Sequence, residues 1–291
     1  MMDAAGDLRG RIEAAMGERV VAQEQLGGGC IALASRIELA DGRTVFAKGG
    51  AGAGGFAAEA AGLRELARYG KEGQQWVGPR VPEVLHVDET VLVLEWLSLE
   101  PSVDSAAWGK SLAAMHQRSS GRESRFGFAI NGMLGSTPEN HSWCDDWVTF
   151  WRDRRLRPML ARLQDPEIED VGHAIDERLE ELLEGCATQA CLIHGDLWSG
   201  NIAQVSGHPA TFDPAAYWAD READFGMLRW MGGFDSSFDA AYEQVWPLSK
   251  GSARRMGVYE LHHHLNHLIL FGRSYRAGCV NLMRRLLASR S

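Results

Sequence analysis

The run His194-Gly195-Asp196-Leu197-Trp198-Ser199-Gly200-Asn201 holds a carboxylate and an amide five residues apart, and Asp213 follows twelve residues further on. An aspartate on a loop can accept a hydrogen bond from a hydroxyl and take its proton as that oxygen attacks. An amide oxygen and a carboxylate held close together suit a hard cation such as Mg²⁺ bridging phosphates. The chemistry these side chains allow is phosphoryl transfer to a hydroxyl, with Asp196 as the catalytic group and Asn201 and Asp213 as metal ligands.

That chemistry needs elements that bring the three residues together. Residues 190–193 read as a short apolar strand opening into the loop. Residues 202–205 read as a strand, Ser206-Gly207 as a turn, and 209–212 as a returning strand that ends at Asp213. A hairpin sets the residues flanking its open ends side by side, so Asn201 and Asp213 are expected to meet. The Asp-x-x-x-x-Asn spacing is that of the protein-kinase catalytic loop. Both residue types are common, so the spacing alone is weak and the strand, loop, hairpin and aspartate around it strengthen it.

The first hundred residues supply complementary parts. A short helix over 7–17 precedes an antiparallel meander with strands at 19–25, 30–39 and 43–48, and Asp41-Gly42 is the tight turn between the last two. Lys48 ends the third strand. Residues 56–69 have helical spacing, and Glu59 shares a face with Leu63 and Leu66. A carboxylate on a core-facing stripe needs a partner, and Lys48 is the expected one. Gly27, Gly28 and Gly29 lie between the first two strands, where bare backbone amides can approach phosphates. The glycine-rich stretch 49–55 reads as a connector to the Glu59 helix. Two more strands are expected at 84–86 and 90–94.

Beyond Leu97 the pattern turns helical. Trp108, Leu112 and Met115 form one apolar stripe. Residues 147–163 read as a single helix, Asp165-Pro166 as an N-cap with proline at the first helical position, and 254–287 as largely helical. The expected fold is two-lobed α+β, with a nucleotide-covering lobe over 1–97 and a mainly helical catalytic and acceptor-binding lobe over 98–291.

The chain has 291 residues and a formal net charge of −9. Such a surface repels phosphate backbones, which argues against a nucleic-acid partner. No apolar run approaches the ~20 residues that span a bilayer, so no membrane partner is expected, and the first twenty residues lack a signal-peptide apolar region. The five cysteines are scattered, without a Cys-x-x-Cys pair, which fits a reducing, cytoplasmic setting. A monomer is expected.

These stretches carry a resemblance. HGDLWSGN (His194 to Asn201) and FDPAAYWADREADFGM (Phe212 to Met227) resemble the fructosamine or ketosamine kinases, relatives of the aminoglycoside and choline phosphotransferases with a protein-kinase-like fold. LGGGCIALA, FAAEAAGLREL, VLVLEWL and LHHHLNHLILFG are similar too, so nearly the whole chain is covered. HGDxxxxN belongs to the wider superfamily. Trp198-Ser199-Gly200 and Arg221-Glu222-Ala223-Asp224 narrow the match.

The resemblance implies ATP and Mg²⁺ as cofactors, Lys48 on the α/β-phosphates paired with Glu59, and the backbone at Glu95, Trp96 and Leu97 as the hinge that reads adenine. It implies Trp198 as a wall of the sugar pocket and Asp220 on the acceptor side. It makes some of Asp220, Glu222 and Asp224 structural or substrate-facing, since an acidic mouth would suit a cationic amine, with Asp224 bonded to the catalytic loop. The implied reaction phosphorylates the C3 hydroxyl of a ketosamine, free or protein-bound, and the unstable product sheds its sugar. Alternatives are a related kinase acting on an aminoglycoside, a choline-like amine or a sugar, and an inactive nucleotide-binding module. Two places depart from the family pattern: Ala219-Asp220, where Gly-His is expected, and Ile130-Asn131-Gly132-Met133, where an Asp-Asn-Tyr element is expected. Cys30, beside the glycines, is a candidate oxidation-sensitive thiol, and the histidines at 262–264 and 267 read as a helix partly lining the acceptor cleft.

Overall fold

A computed structural model describes residues 4–27, 33–49 and 55–289. Gly28, Gly29, Cys30 and residues 50–54 of the glycine-rich connector lie outside the described residues.

The meander is present. Val20–Leu26, Leu33–Leu39 and Thr44–Gly49 join Val91–Glu95 and then Val84–Val87 in one antiparallel five-stranded sheet. Alternation explains how it packs. Ile37, Leu39, Val45 and Ala47 point to one face and bury against Leu8 and Ile12 of the helix Ala4–Met16. The strand Val91–Glu95 is apolar at successive positions because it is covered on both faces. Val91 and Val93 join that first cluster, whereas Leu92 and Leu94 join Leu63 and Leu66 of the helix Phe56–Gly70 on the other side. At the Asp41-Gly42 turn, Gly42 takes φ +88°, which a side chain rarely adopts.

From Ser105 onward helices dominate. Asp104 caps the helix Ser105–Ser119 by accepting a hydrogen bond from the Ala107 amide, and Trp108, Leu112 and Met115 are all buried on its inner stripe. This helix packs on Ser236–Val245. A Cβ at Gly109 would stand 2.2 Å from the Phe238 carbonyl oxygen, so the close approach requires glycine. Ser252–Phe271 is the longest helix and packs against Asp224–Met231 and Arg276–Ala288. Asp165 caps Pro166–Glu177 as expected, accepting from the Ile168 amide at 3.2 Å.

Residues 147–163 are not one regular α-helix. Arg152–Leu156 widens into a π-helical turn between Trp147–Trp151 and Arg157–Leu163. Pro158 has no N–H to give the Arg154 carbonyl, and the Arg155 guanidinium supplies that bond instead, at 3.1 Å. Three short pairings escaped the sequence reading: Lys71–Glu72 with Gln75–Trp76, Gly132–Leu134 with Thr137–Glu139, and Cys191–Ile193 with Tyr217–Ala219. Among the described residues no helix is long and apolar enough to cross a membrane.

Candidate active site

Ile202–Val205 and His208–Thr211 form the expected hairpin, with Ile202 opposite Thr211. Its open ends are tied together. The Thr211 hydroxyl donates to the Asn201 carbonyl at 2.7 Å, and the Phe212 amide reaches the same oxygen at 3.3 Å. Asp213 then turns with φ +56°, a left-handed conformation uncommon for a residue with a side chain. Its carboxylate meets the sheet: Lys48 Nζ lies 2.5 Å from Asp213 Oδ1 and 2.9 Å from Glu59 Oε1. The Lys48–Glu59 pairing expected from the helical face of Glu59 is therefore present, and Asp213 completes it from 165 residues away. Burial works against the lysine's charge, but the two carboxylates more than offset it and raise its pKa above the ordinary value.

The loop entering the hairpin is held from below. Asp224 accepts the backbone amides of His194 and Gly195 at 2.9 and 2.8 Å. Its own position is fixed by His116 Nε2 at 3.2 Å, and Tyr242 holds the other ring nitrogen at 2.9 Å. His194 donates from Nε2 to the Phe212 carbonyl, which leaves Nδ1 to accept the Asp196 amide. A Cβ at Gly195 would lie 2.1 Å from the Ala215 carbonyl, so the chain needs glycine there, at φ +82°. Asp196 emerges next to Asn201, whose Nδ2 donates to the Asp196 carbonyl at 2.9 Å and to Oδ2 at 3.3 Å. Burial first, and then the nearby charge of Asp213, pushes the Asp196 carboxyl up to about 7. A base with a pKa near the working pH is well matched to taking a proton.

Asn201 and Asp213 fit a hard cation. The Asn201 amide nitrogen is committed to Asp196, which leaves its oxygen as the available donor atom. Asp213 stays partly open to solvent. Among the described residues no three His, Cys, Asp or Glu side chains gather as a cage. Mg²⁺ commonly takes one or two protein oxygens and fills its shell with phosphate and water, and two oxygen donors are what this site offers.

The expected hinge residues lie at and just beyond the end of the strand Val91–Glu95, fourth in the order of the sheet. Glu95 is drawn to Arg80 at 2.5 Å, and its amide donates to the Glu83 carbonyl. Trp96 lies under the Arg36 guanidinium, 5.4 Å from the ring centre. Leu97 is buried with Val205 and Ala210 in a small apolar cluster. Gly27 sits at the exposed end of the first strand with open space around it.

On the far side of Asp196 lies a cavity of about 270 Å³, lined by Trp198, Met227, Leu134, His263 and Asn266 among others. Trp198 and Asp196 line this cavity together. Asp220 is not at this cavity. It is 2 % exposed, and its oxygens accept the Tyr259 hydroxyl and the Ala187 and Glu222 amides. These residues form no acidic mouth, because Glu222 and Asp224 are buried as well, and Asp224 is bonded to the loop as expected. Glu222 is clamped by Arg255 through two bonds of 2.7 and 2.8 Å, and Asp224 holds the loop. Each acid has a fixed internal partner and none is left for a ligand.

The histidine-bearing helix lines the cavity through His263 and His267. His262 instead turns to Glu139 at 2.7 Å. Glu139, which sequence reasoning missed, is buried among His262, His141 and Arg155. Burial would raise its pKa, but the Arg155 charge and the two imidazole bonds hold it well below the usual carboxylate range.

A five-stranded sheet delivers a paired lysine, a hairpin and the loop before it deliver an amide and two carboxylates, and a cavity opens beside Asp196. Fold and site together define a protein-kinase-like phosphotransferase, an ATP-dependent enzyme acting on a hydroxyl group. The chain belongs to the fructosamine kinase family, whose sequence profile matches residues 8–289. It is 37 % identical over 267 residues to a chloroplastic protein-ribulosamine 3-kinase of Arabidopsis thaliana, covering 89 % of this chain and 80 % of that protein. A crystal structure from Thermobifida fusca, named for fructosamine-3-kinase, superposes with a TM-score of 0.85 at 30 % identity, covering 97 % of this chain and 99 % of that one. The aminoglycoside phosphotransferase APH(4)-Ia, solved with AMP-PNP and hygromycin B, shares the fold at a TM-score of 0.65 and 16 % identity, covering 97 % of this chain and 98 % of its own.

Proposed function

We propose that this protein transfers the γ-phosphoryl group of ATP to the C3 hydroxyl of a ketosamine, a sugar-derived ketoamine carried on a free or protein-bound amine. The observation that carries the reading is the placement of Asp196, which touches Asn201 at the nucleotide end and lines the cavity at the other. The family's ribulosamine 3-kinase relative supports the choice of acceptor.

In this mechanism the backbone at Glu95, Trp96 and Leu97 receives the adenine, and the glycines from Gly27 to Gly29 cover the phosphates. Lys48, held charged by Glu59, shifts its contact from Asp213 to phosphate oxygens. Asn201 and Asp213 would hold Mg²⁺, which would supply positive charge to offset that of the phosphates. Asp196 accepts the proton of the C3 hydroxyl as that oxygen bonds to phosphorus and the bridging oxygen departs with ADP. Trp198 walls the sugar. The phosphorylated product then sheds the sugar, returning the amine. The two lobes would meet at the hinge, near Leu97. A monomer in a reducing, cytoplasmic setting suits the four free cysteines among the described residues.

The test is Mg²⁺-dependent ADP release with ribulosyl-lysine and fructosyl-lysine, set beside an aminoglycoside, choline and free sugars. Turnover confined to the ketosamines is expected. Turnover on one of the other acceptors, with the ketosamines inert, would overturn the acceptor assignment and keep the kinase.

A further inference from the structure

The hairpin of Gly132–Leu134 and Thr137–Glu139 walls the cavity beside Asp196 with its tip, Leu134, Gly135 and Ser136. Its other end holds Glu139, whose side chain is 3 % exposed. Three side chains from separate segments meet that carboxylate. His262 of the long helix lies 2.7 Å from Oε1. His141, just past the hairpin, lies 3.2 Å from Oε2, and the Arg155 guanidinium of the π-helical turn lies 3.5 Å from the same oxygen.

Each partner leads to a different part of the site. The long helix supplies Leu270 and Phe271 to the cavity, and its Asn266 Nδ2 donates to the Leu134 carbonyl at 3.2 Å. Helix and hairpin are therefore tied at the tip by Asn266 and at the base by Glu139. The other two partners reach the catalytic loop through Tyr217. The Arg155 guanidinium stands 4.4 Å from the centre of that ring, and the His141 ring stacks on it at 5.0 Å. Tyr217 pairs with Ile193, the last residue of the strand that opens into the catalytic loop. Glu139, His141, Arg155 and His262 all lie outside the lining of the cavity. A buried ionic cluster adds little net stability, because desolvation offsets its attraction. What this one supplies is direction, joining the acceptor wall to the strand that carries Asp196.

We propose that Glu139 is a positioning residue for phosphoryl transfer, fixing the wall of the acceptor cavity relative to Asp196 so that the bound hydroxyl meets the base. The proposal rests on the reading of Asp196 as base for an acceptor held in this cavity. A misplacement of about 1 Å between reacting groups costs on the order of 10²-fold in rate, so a residue that never touches the acceptor can still govern turnover.

The experiment is steady-state kinetics on whichever acceptor wild type turns over best, for wild type, Glu139→Gln, Glu139→Leu, His262→Leu and the Glu139→Leu, His262→Leu double variant. Rates are taken per ATP-binding site, titrated with a fluorescent nucleotide, which removes any unfolded fraction. Glu139→Leu should lose on the order of 10²-fold in kcat, with Kd for ATP unchanged. Glu139→Gln, which keeps the shape and two hydrogen-bonding atoms, should recover a large part of that loss. The double variant should lose less than the product of the two single losses, because both break the same tie. If Glu139→Leu does not fold, Glu139→Gln and His262→Leu decide, and each should still lower kcat with Kd for ATP kept. Wild-type kcat in the folded variants, an equal loss of ATP affinity, or a loss confined to KM for the acceptor would overturn the proposal and leave the kinase activity standing. Full turnover in Asp196→Asn would overturn the base assignment and this inference together. Inert ketosamines beside another active acceptor would overturn the acceptor reading alone, since the variants are then read on that acceptor.

Discussion

Two clusters of charge in this molecule look alike in sequence and behave oppositely in the fold. Where the sheet meets the hairpin, Lys48, Glu59 and Asp213 are paired but reachable, and the side chain of Asp213 keeps 43 % of its exposure. Below the catalytic loop, Asp220, Glu222 and Asp224 are all nearly inaccessible, and every one is matched by an internal donor. In the proposed mechanism the first cluster exchanges partners, with phosphate oxygens replacing Asp213 on Lys48. The second has nothing to exchange, and removing a member strands a buried partner. Charge at a functional site is thus marked by incomplete commitment rather than by acid count.

The largest contrast should come from breaking the committed cluster. Glu222→Ala leaves the Arg255 guanidinium buried and unpaired, which costs about 3–5 kcal/mol for a pair of this kind. Chemical denaturation should show a large drop in stability, while KM for ATP of the folded fraction stays unchanged. Lys48→Met should do the reverse. It should lower kcat/KM for ATP on the order of 10²-fold, the usual cost of losing one charge-stabilising donor, and leave KM for the acceptor unchanged in steady-state kinetics. An acceptor effect as large as the ATP effect would blur the division between the two clusters.

The smallest effect lies at a half-buried pair remote from both. Arg276 and the capping amides hold Asp165 down to about 2, below its usual 3.8. A depressed acid contributes stability that is fully present above its unfolded value and is lost as pH falls through the folded one. Denaturation midpoints of wild type should therefore decline relative to Asp165→Asn between about pH 4 and pH 2, and the difference should be constant above pH 5. Salt should shrink it, since the pair keeps some contact with solvent and is screened.

The sequence showed most clearly what depends on near neighbours. Asp41-Gly42 marks its turn, Asp165-Pro166 its cap, and Glu59 its face, because each acts within a few residues. The hairpin ends could be placed because Asn201 and Asp213 are joined by short strands. The fate of Asp220 and Glu222 was not legible, since their partners Tyr259 and Arg255 lie 39 and 33 residues further along. The inner cavity depends on Asn266 meeting Leu134 across 132 residues, a contact no local pattern announces. The π-helical turn at Arg152–Leu156 was not foreseen either, since the apolar spacing over 147–163 does not separate it from regular helix.

The central claim is that Asp196 acts as the base for a ketosamine hydroxyl, and it is tested by comparing wild type with Asp196→Asn in Mg²⁺-dependent ADP release on ribulosyl-lysine. Loss of the base should lower kcat by about 10²–10⁴-fold, with ATP binding and melting temperature kept. Wild-type turnover undiminished in Asp196→Asn would contradict the account.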